Sequence, residues 1–180
     1  MITPVDHIKA AETAVAFAVC AVFDLDPNAS SSADFVRFSY RGDGASPLPS
    51  RTKDLCYITV TQNDQPVFFS TSTENNVMTI RKTIPLSVLV TFYGPACRAN
   101  AEYFRTRLLA APEYGSPRQV LSAHGIVPVI PIGMPVFAPE VEDANWRLRC
   151  DVRFSARQLV TETLNVTTVS QTPDVDTVIN

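Results

Sequence analysis

Arg147, Arg149, Arg153 and Arg157 fall on odd positions of one alternating run, with Asp151 among them. In an extended chain, period two puts them on one face. A row of guanidinium groups can contact phosphates or an acidic protein surface. The same row can also be a solvated sheet face, its charges balanced across strands by groups such as Glu162. No aromatic residues interleave the arginines, which weakens a single-strand base-stacking role. The residue types alone leave solvent, protein and nucleic acid all open as partners of this face.

Other chemistry is sparse. The chain has two histidines. His7 sits in the first turn of a predicted helix and His124 at a helix end beside Gly125, where imidazole serves capping and dipole interactions. A zinc site wants several Cys or His ligands at short spacing. The four cysteines, Cys20, Cys56, Cys97 and Cys150, are far apart. They read as reduced, buried thiols acting as small hydrophobes. Asp24 and Asp26 are close together, as are Glu140, Glu142 and Asp143. Such groups can hold a cation or do acid–base work, but in loops they also serve solubility. No phosphate-binding glycine loop, GxSxG or GxGxxG is found. No catalytic residue, cofactor site or metal site is expected.

The frame that must position these residues is dominated by alternation. Between Val77 and Gly94 the even positions are Met78, Ile80, Ile84, Leu86, Val88, Val90 and Phe92, interrupted by Lys82. Unbroken, this run would extend roughly 50 Å at about 3.3 Å per residue. It exceeds the ordinary strand of about 5–6 residues. Lys82 and Pro85 predict a kink or pairing break, because proline removes a ladder donor. Leu86–Tyr93 would then lie in the main sheet, with Val77–Pro85 projecting as a hairpin. The second run, Asn145–Arg157, puts Trp146, Leu148, Cys150, Val152, Phe154 and Ala156 on its apolar face. A closing strand from Leu159 to about Val169 should form a hairpin with it.

Elsewhere, Thr3-Pro4-Val5-Asp6 predicts a helix start. Ile8, Ala11, Val15, Ala18 and Val22 share its apolar face, widened by Ala10, Ala14 and Phe17. The apolar stretch from Ala14 to Phe23 is shorter than the about 20 residues a membrane span needs, and reads as core. Residues 27–54 read mostly as loop, with a short strand at Phe35–Tyr40. Leu55–Thr61 is a strand with Cys56, Ile58 and Val60 inward, and Val67–Ser70 should pair with it through the turn Asn63–Pro66. Helices follow at Gly94-Pro95 onward and at Ser116–Ala123. Val127–Val136 is too rich in proline for a regular central strand. Pro139–Ala144 reads as an acidic turn.

With 180 residues, the chain is long enough for one domain with a sizeable core. The expected division is one domain over residues 1–170 and an extended tail over 171–180. The net charge of -3 gives no general attraction to nucleic acid or acidic membranes. Hairpin-joined strands with helices segregated in sequence predict an α+β fold. It should hold an antiparallel sheet of about four or more strands, helices on one face, and a long projecting hairpin. Strands longer than a domain needs favour assembly over catalysis.

The strand ending Phe92-Tyr93-Gly94 is followed by Ala96, Ala99 and Ala101 on a helix. Then come Leu108, Gly125-Ile126, Ile132, the run Asn145-Trp146-x-x-Arg149-x-Asp151-x-x-Phe154, and Val160 and Val166. Together with the Gly42–Pro49 loop before Tyr57-Ile58, this resembles the neck or tail terminator family of tailed bacteriophages. The likeness covers most of residues 36–170. It implies a non-enzymatic virion protein of the tail or neck, assembled in the host cytoplasm. The family forms a homo-oligomeric ring, usually a hexamer, that caps the tail tube and, in contractile tails, the sheath. Implied partners are the tail tube protein, the sheath protein and the head–tail connector proteins. Membrane is not implied, and genomic DNA at most passes through the lumen.

Expected interface residues are Arg147, Arg149 and Arg153 on the arginine face, Arg81, Lys82 and Pro85 on the projecting hairpin, and Phe38 and Tyr40 beside the loop Asp34–Arg51. The alternatives are another tail or baseplate adaptor of related fold, or a small cytoplasmic enzyme or ligand-binding domain. The last would need a pocket around His124 or a carboxylate pair.

Overall fold

The computed structural model of the chain describes residues 6–38, 52–63, 67–110, 116–142 and 145–165. It opens with helix α1 (His7–Val22), capped by Asp6, whose Oδ1 accepts the Lys9 N–H at 3.0 Å. The helix therefore starts after the expected Thr3-Pro4 signal, since Asp caps at least as well as Thr. Ala11, Ala14, Val15, Ala18, Val19 and Val22 are buried. Ala10, expected on this face, is exposed, and Phe17 is half-buried. The helix ends at Phe23, and Asp24 takes a left-handed conformation (φ 53°).

The expected loop after Pro27 contains a short helix, α2 (Ser30–Phe35). Serines in a row read as loop because their side chains compete for backbone groups. Here Ser32 is buried and its hydroxyl donates to the Asp26 carbonyl, which anchors the helix. β1 (Val36–Phe38) follows and pairs parallel with β2 (Leu55–Gln62). Tyr40 and most of the loop Asp34–Arg51 lie outside the described residues.

β3 (Phe68–Glu74) does not pair with β2, as expected, but with β4 (Val77–Tyr93). The connection is the two-residue turn Asn75-Asn76, both at positive φ (50° and 62°). That is the twist a tight hairpin requires, and Asn tolerates it well. β2 takes the inner half of the same β4 edge, from Leu86 to Tyr93, so β2 and β3 lie end to end.

Helices α3 (Cys97–Leu109) and α4 (Pro117–Ala123) come next, the latter capped by Ser116, whose hydroxyl accepts the Gln119 N–H. Short strands β5 (Ile126–Pro128) and β6 (Val136–Phe137) flank the proline-rich stretch. The expected acidic turn is instead a small ribbon of β7 (Glu140–Glu142) and β8 (Asn145–Arg147). β9 (Arg149–Asn165) is one strand of 17 residues. The hairpin expected before Leu159 is absent, because β9 stays paired with β4 from Arg149 to Asn165. Trp146 and Leu148 precede β9, Trp146 pairing with β7 and not with the main sheet, and both are exposed, while Cys150, Val152, Phe154 and Ala156 remain buried.

β4 also runs unbroken, 17 residues long, through Lys82 and Pro85. The break falls on one edge only. Pro85 lies between the end of β3 pairing at Thr83 and the start of β2 pairing at Leu86. Its carbonyl accepts the Asn63 N–H at 3.0 Å, so its donor-less nitrogen faces that gap and not β9.

Among the described residues the main sheet runs β1-β2-β4-β9-β5, with β3 added on β4 and β6 on β9. The fold is α+β, and all but the β1–β2 pairing is antiparallel. α1 and α3 pack on one face of the inner sheet. There Leu86, Val88, Val90, Phe92 and Val152 meet Val15, Val19, Phe104 and Leu108. The opposite face carries no helix among the described residues.

Candidate interaction surfaces

The bare face is built from the odd-numbered residues of β4 and β9. At its inner end Tyr93 stands opposite Arg149, and Thr91 opposite Asp151. Arg149 forks onto Asp151 with two bonds, Nε to Oδ1 at 2.8 Å and a terminal nitrogen to Oδ2 at 2.9 Å. Its other terminal nitrogen donates to Glu140 at 3.0 Å. The guanidinium also lies 6.0 Å from the Tyr93 ring centroid. The bidentate geometry and the burial of Asp151, whose side chain is 4% exposed, make this a structural clamp. It ties the β7–β8 ribbon to the end of the sheet. The bonds to Asp151 raise the Arg149 pKa above its ordinary value. Burial pushes the Tyr93 phenol up to about 12; Arg149 opposes this, and Glu140 and Asp151 add to it.

The expected arginine stripe therefore divides. Arg149 is held within the chain. Arg153 is 72% exposed, with its guanidinium 3.8 Å from Asp151. Arg157 is exposed. Arg147 belongs to the β8 ribbon, opposite Glu140, and not to the same strand. Glu162, the expected cross-strand partner, lies on the other face and pairs with Lys82 at 2.9 Å. Its hydrogen bond to Lys82 lowers its pKa below the usual carboxylate value. His7 stands 3.7 Å from the same carboxylate.

The outer end is a three-stranded ribbon of β3, Val77–Thr83 of β4 and Leu159–Asn165 of β9. Arg81 is exposed on its bare face, Lys82 lies on the helix side, and Pro85 is buried at its root. Every residue of β3 is exposed, with Phe68 at 69% and Phe69 at 73%. The sequence signal for this strand is Asn75-Asn76 between two alternating runs.

The family model described as phage neck terminator protein matches residues 10–180. The chain belongs to the phage neck terminator family. No curated protein matches it. Membership makes this a structural protein family of the phage neck and tail, and places the chain in the virion among other head and tail components.

No cluster of three potential metal ligands occurs among the described residues. Asp26 accepts the Asn28 N–H at 2.9 Å, a turn-forming bond. His124 packs edge-on against Phe17, with centroids 5.8 Å apart. A cavity of about 220 Å³ between α1, α2 and β1 is lined, among the described residues, by Phe17, Cys20, Ser32, Phe38 and neighbours, which include neither His124 nor a carboxylate. All four cysteines are free and buried. Burial raises the Cys56 thiol well above its ordinary value. No helix among the described residues is long and apolar enough to cross a membrane.

A further apolar edge was not legible in advance. Val127, Val129, Ile130, Met134 and Val136 are exposed beside β9, and Val141 faces Trp146 across the β7–β8 ribbon. The edge is pinned from α3: Arg98 lies 3.6 Å over the Phe137 ring, and Arg105 Nε donates to the Gly133 carbonyl at 2.9 Å.

Proposed function

We propose that the chain is a tail terminator. Identical copies close into a ring, hexameric by the family's habit, that covers the last ring of the tail tube and stops its growth. The opposite side of the ring receives the head connector proteins. In a contractile tail the same ring also stops the sheath. No cofactor takes part; the action is steric, by matching the symmetry of the growing end and presenting a different surface beyond it.

The observation that carries this reading is the outer ribbon. Its strands continue for seven residues past the handover at Pro85, from Thr83 to Val77, which is roughly 20 Å at about 3.3 Å per residue. β3 on that extension is exposed throughout, so the ribbon contributes reach more than core. A closed ring needs heterologous contacts from such extensions. The loop Asp34–Arg51, the 171–180 tail and Arg153 are further proposed contacts with neighbours. The test is deletion of the protein from the phage. Tails of uncontrolled length that fail to join heads are expected, and normal tail lengths would refute the reading. Labelling that places the protein at the distal end of the tail would replace it with a baseplate adaptor.

A further inference from the structure

The outer ribbon has two open edges, and they match. β3 and β9 both run antiparallel to β4, so they run parallel to each other. The Leu159 N–H donates to the Gly125 carbonyl, and the Ser155 carbonyl accepts the Val129 N–H. The odd residues of β9 therefore direct their backbone groups away from β4. Beyond Leu159, the outward groups of Thr161 and Thr163 meet no further strand among the described residues. On the other edge, the Pro85 carbonyl faces Asn63, so the odd residues of β4 face β3. The register then turns Ser70 and Ser72 inward and leaves the backbone groups of Phe69, Thr71 and Thr73 outward.

Among the described residues β3 is an unguarded edge. Its sequence, Phe-Phe-Ser-Thr-Ser-Thr-Glu, has no proline or lysine, and its one charge is the terminal Glu74. Two adjacent phenylalanines stand exposed on opposite faces of it. Proteins protect such edges with charge, proline, bulges or a covering element, and among the described residues none of these guards β3.

We propose that β3 is covered by the outer half of β9 from the next copy, an inference that rests on the ring reading above. A rotation about an axis along the strands preserves strand direction, so β3 of one copy meets β9 of the next in parallel. In a parallel pair an outward residue stands opposite an inward one with both side chains on the same face. Thr71 and Glu162 satisfy this, since each lies on the helix side of its own ribbon. An antiparallel β3–β9 contact would put neighbouring helix layers on opposite faces, which a ring forbids. The apolar residues choose the register. Phe68 falls beside Leu159, itself exposed, and Phe69 falls beside Val160. Seven residues, Phe68–Glu74, then align with Leu159–Asn165. Thr161 and Thr163 exchange backbone hydrogen bonds with Phe69, Thr71 and Thr73.

The register puts Ser72 opposite Thr163 of the neighbour, within the Cα separation a disulfide spans, about 4.4–6.8 Å. Phage carrying full-length protein with Ser72→Cys and Thr163→Cys are purified, oxidised mildly and run on a non-reducing gel. A reducible ladder of multimers is expected, with none from wild type or from either single variant, because the native cysteines are buried. Particles holding several copies per tail but giving no ladder would overturn the edge pairing and leave the ring standing. A product stopping at the dimer would show a two-fold β3–β3 contact and also overturn it. A single copy per particle would sink the ring and the pairing together. Thr71→Pro is the second variant. It removes only an outward donor, so the β3–β4 ladder and the melting temperature should be retained while incorporation into tails is lost. Normal incorporation of a folded Thr71→Pro protein would refute the proposal.

Discussion

Arg149 separates a residue that looks like a contact from one that holds the fold. Its position among arginines suggested a partner-facing charge, but Asp151 and Glu140 occupy its donors. Truncating one partner of a buried pair leaves the other charge without compensation. Arg149 is itself 25% exposed, which moderates the effect. Arg149→Met should therefore cost about 2–3 kcal/mol, less than the roughly 3–5 kcal/mol of a fully buried pair. The double variant Arg149→Met, Asp151→Leu should recover part of this. Urea denaturation of both proteins checks it; equal midpoints for wild type and Arg149→Met would show that the clamp contributes nothing. Tyr93 gives the matching pH effect. Its pKa is raised from 10.0 to about 12 in the folded chain. The unfolded chain releases the phenolic proton first as pH rises, so this stabilisation is complete below about pH 10. It is lost as pH climbs through the folded value. Tyr93→Phe, which lacks the hydroxyl bonded to Glu140, should be slightly less stable than wild type at neutral pH and lose less stability between pH 10 and 12, as read from denaturation midpoints.

At the scale of elements, the turn from β4 into α3 is the tightest constraint. Gly94 has φ +106°, and an added Cβ would lie 2.5 Å from Asp54 Oδ1 and 2.8 Å from Asp54 Cα. That carboxylate already accepts the Ala96 N–H at 2.9 Å, at the start of α3. Gly94→Ala therefore combines backbone strain with a clash against main chain. It should cost on the order of 2–4 kcal/mol, and an unchanged thermal midpoint would contradict this account. The local signals here are legible: Gly94-Pro95 marks the turn, and Cys97, Ala101, Phe104, Leu108 and Ala111 share a helical stripe, the first four of which are buried in α3 while Ala111 lies outside the described residues. Alternation likewise marks Leu86–Tyr93 as a core strand, and in the run Asn145–Arg157 it is right for Cys150–Ala156 but not for Trp146 and Leu148, which are exposed. Partner choice was not legible. Pro85 reads as a strand breaker unless one knows that β2 and β3 meet end to end beside it. The junction between Arg157 and the strand expected from Leu159 reads as a hairpin turn unless β4 is there to carry β9 past it. At Pro85 the expected pairing break is real but falls on one edge of β4 only, whereas at β9 a long-range pairing stands in place of the expected local hairpin. The clamp escaped notice for the same reason, since Glu140 meets Arg149 only once the β7–β8 ribbon has folded back.

At the scale of the whole molecule, the helix layer covers one side of the sheet and leaves polar and charged strand residues on the other. With Arg149 committed to the clamp, Arg153 and Arg157 are the arginines of β9 with exposed side chains. They project from the sheet, and the exposed Arg153 makes a long ion pair to Asp151, so reversing their charge should disturb folding little. Charges on an interface rim govern encounter and its salt dependence more than stability. Arg153→Glu combined with Arg157→Glu should stay folded, with the denaturation midpoint lowered only slightly by the loss of the Arg153–Asp151 pair. If this face meets an acidic partner in the neck, the variant should slow the joining of purified tails to heads at low ionic strength. The difference should shrink as salt is raised, because screening removes the steering that wild type enjoys. Joining rates equal to wild type at every salt concentration would return the face to solvent and leave the ribbon edges as the chain's principal means of contact.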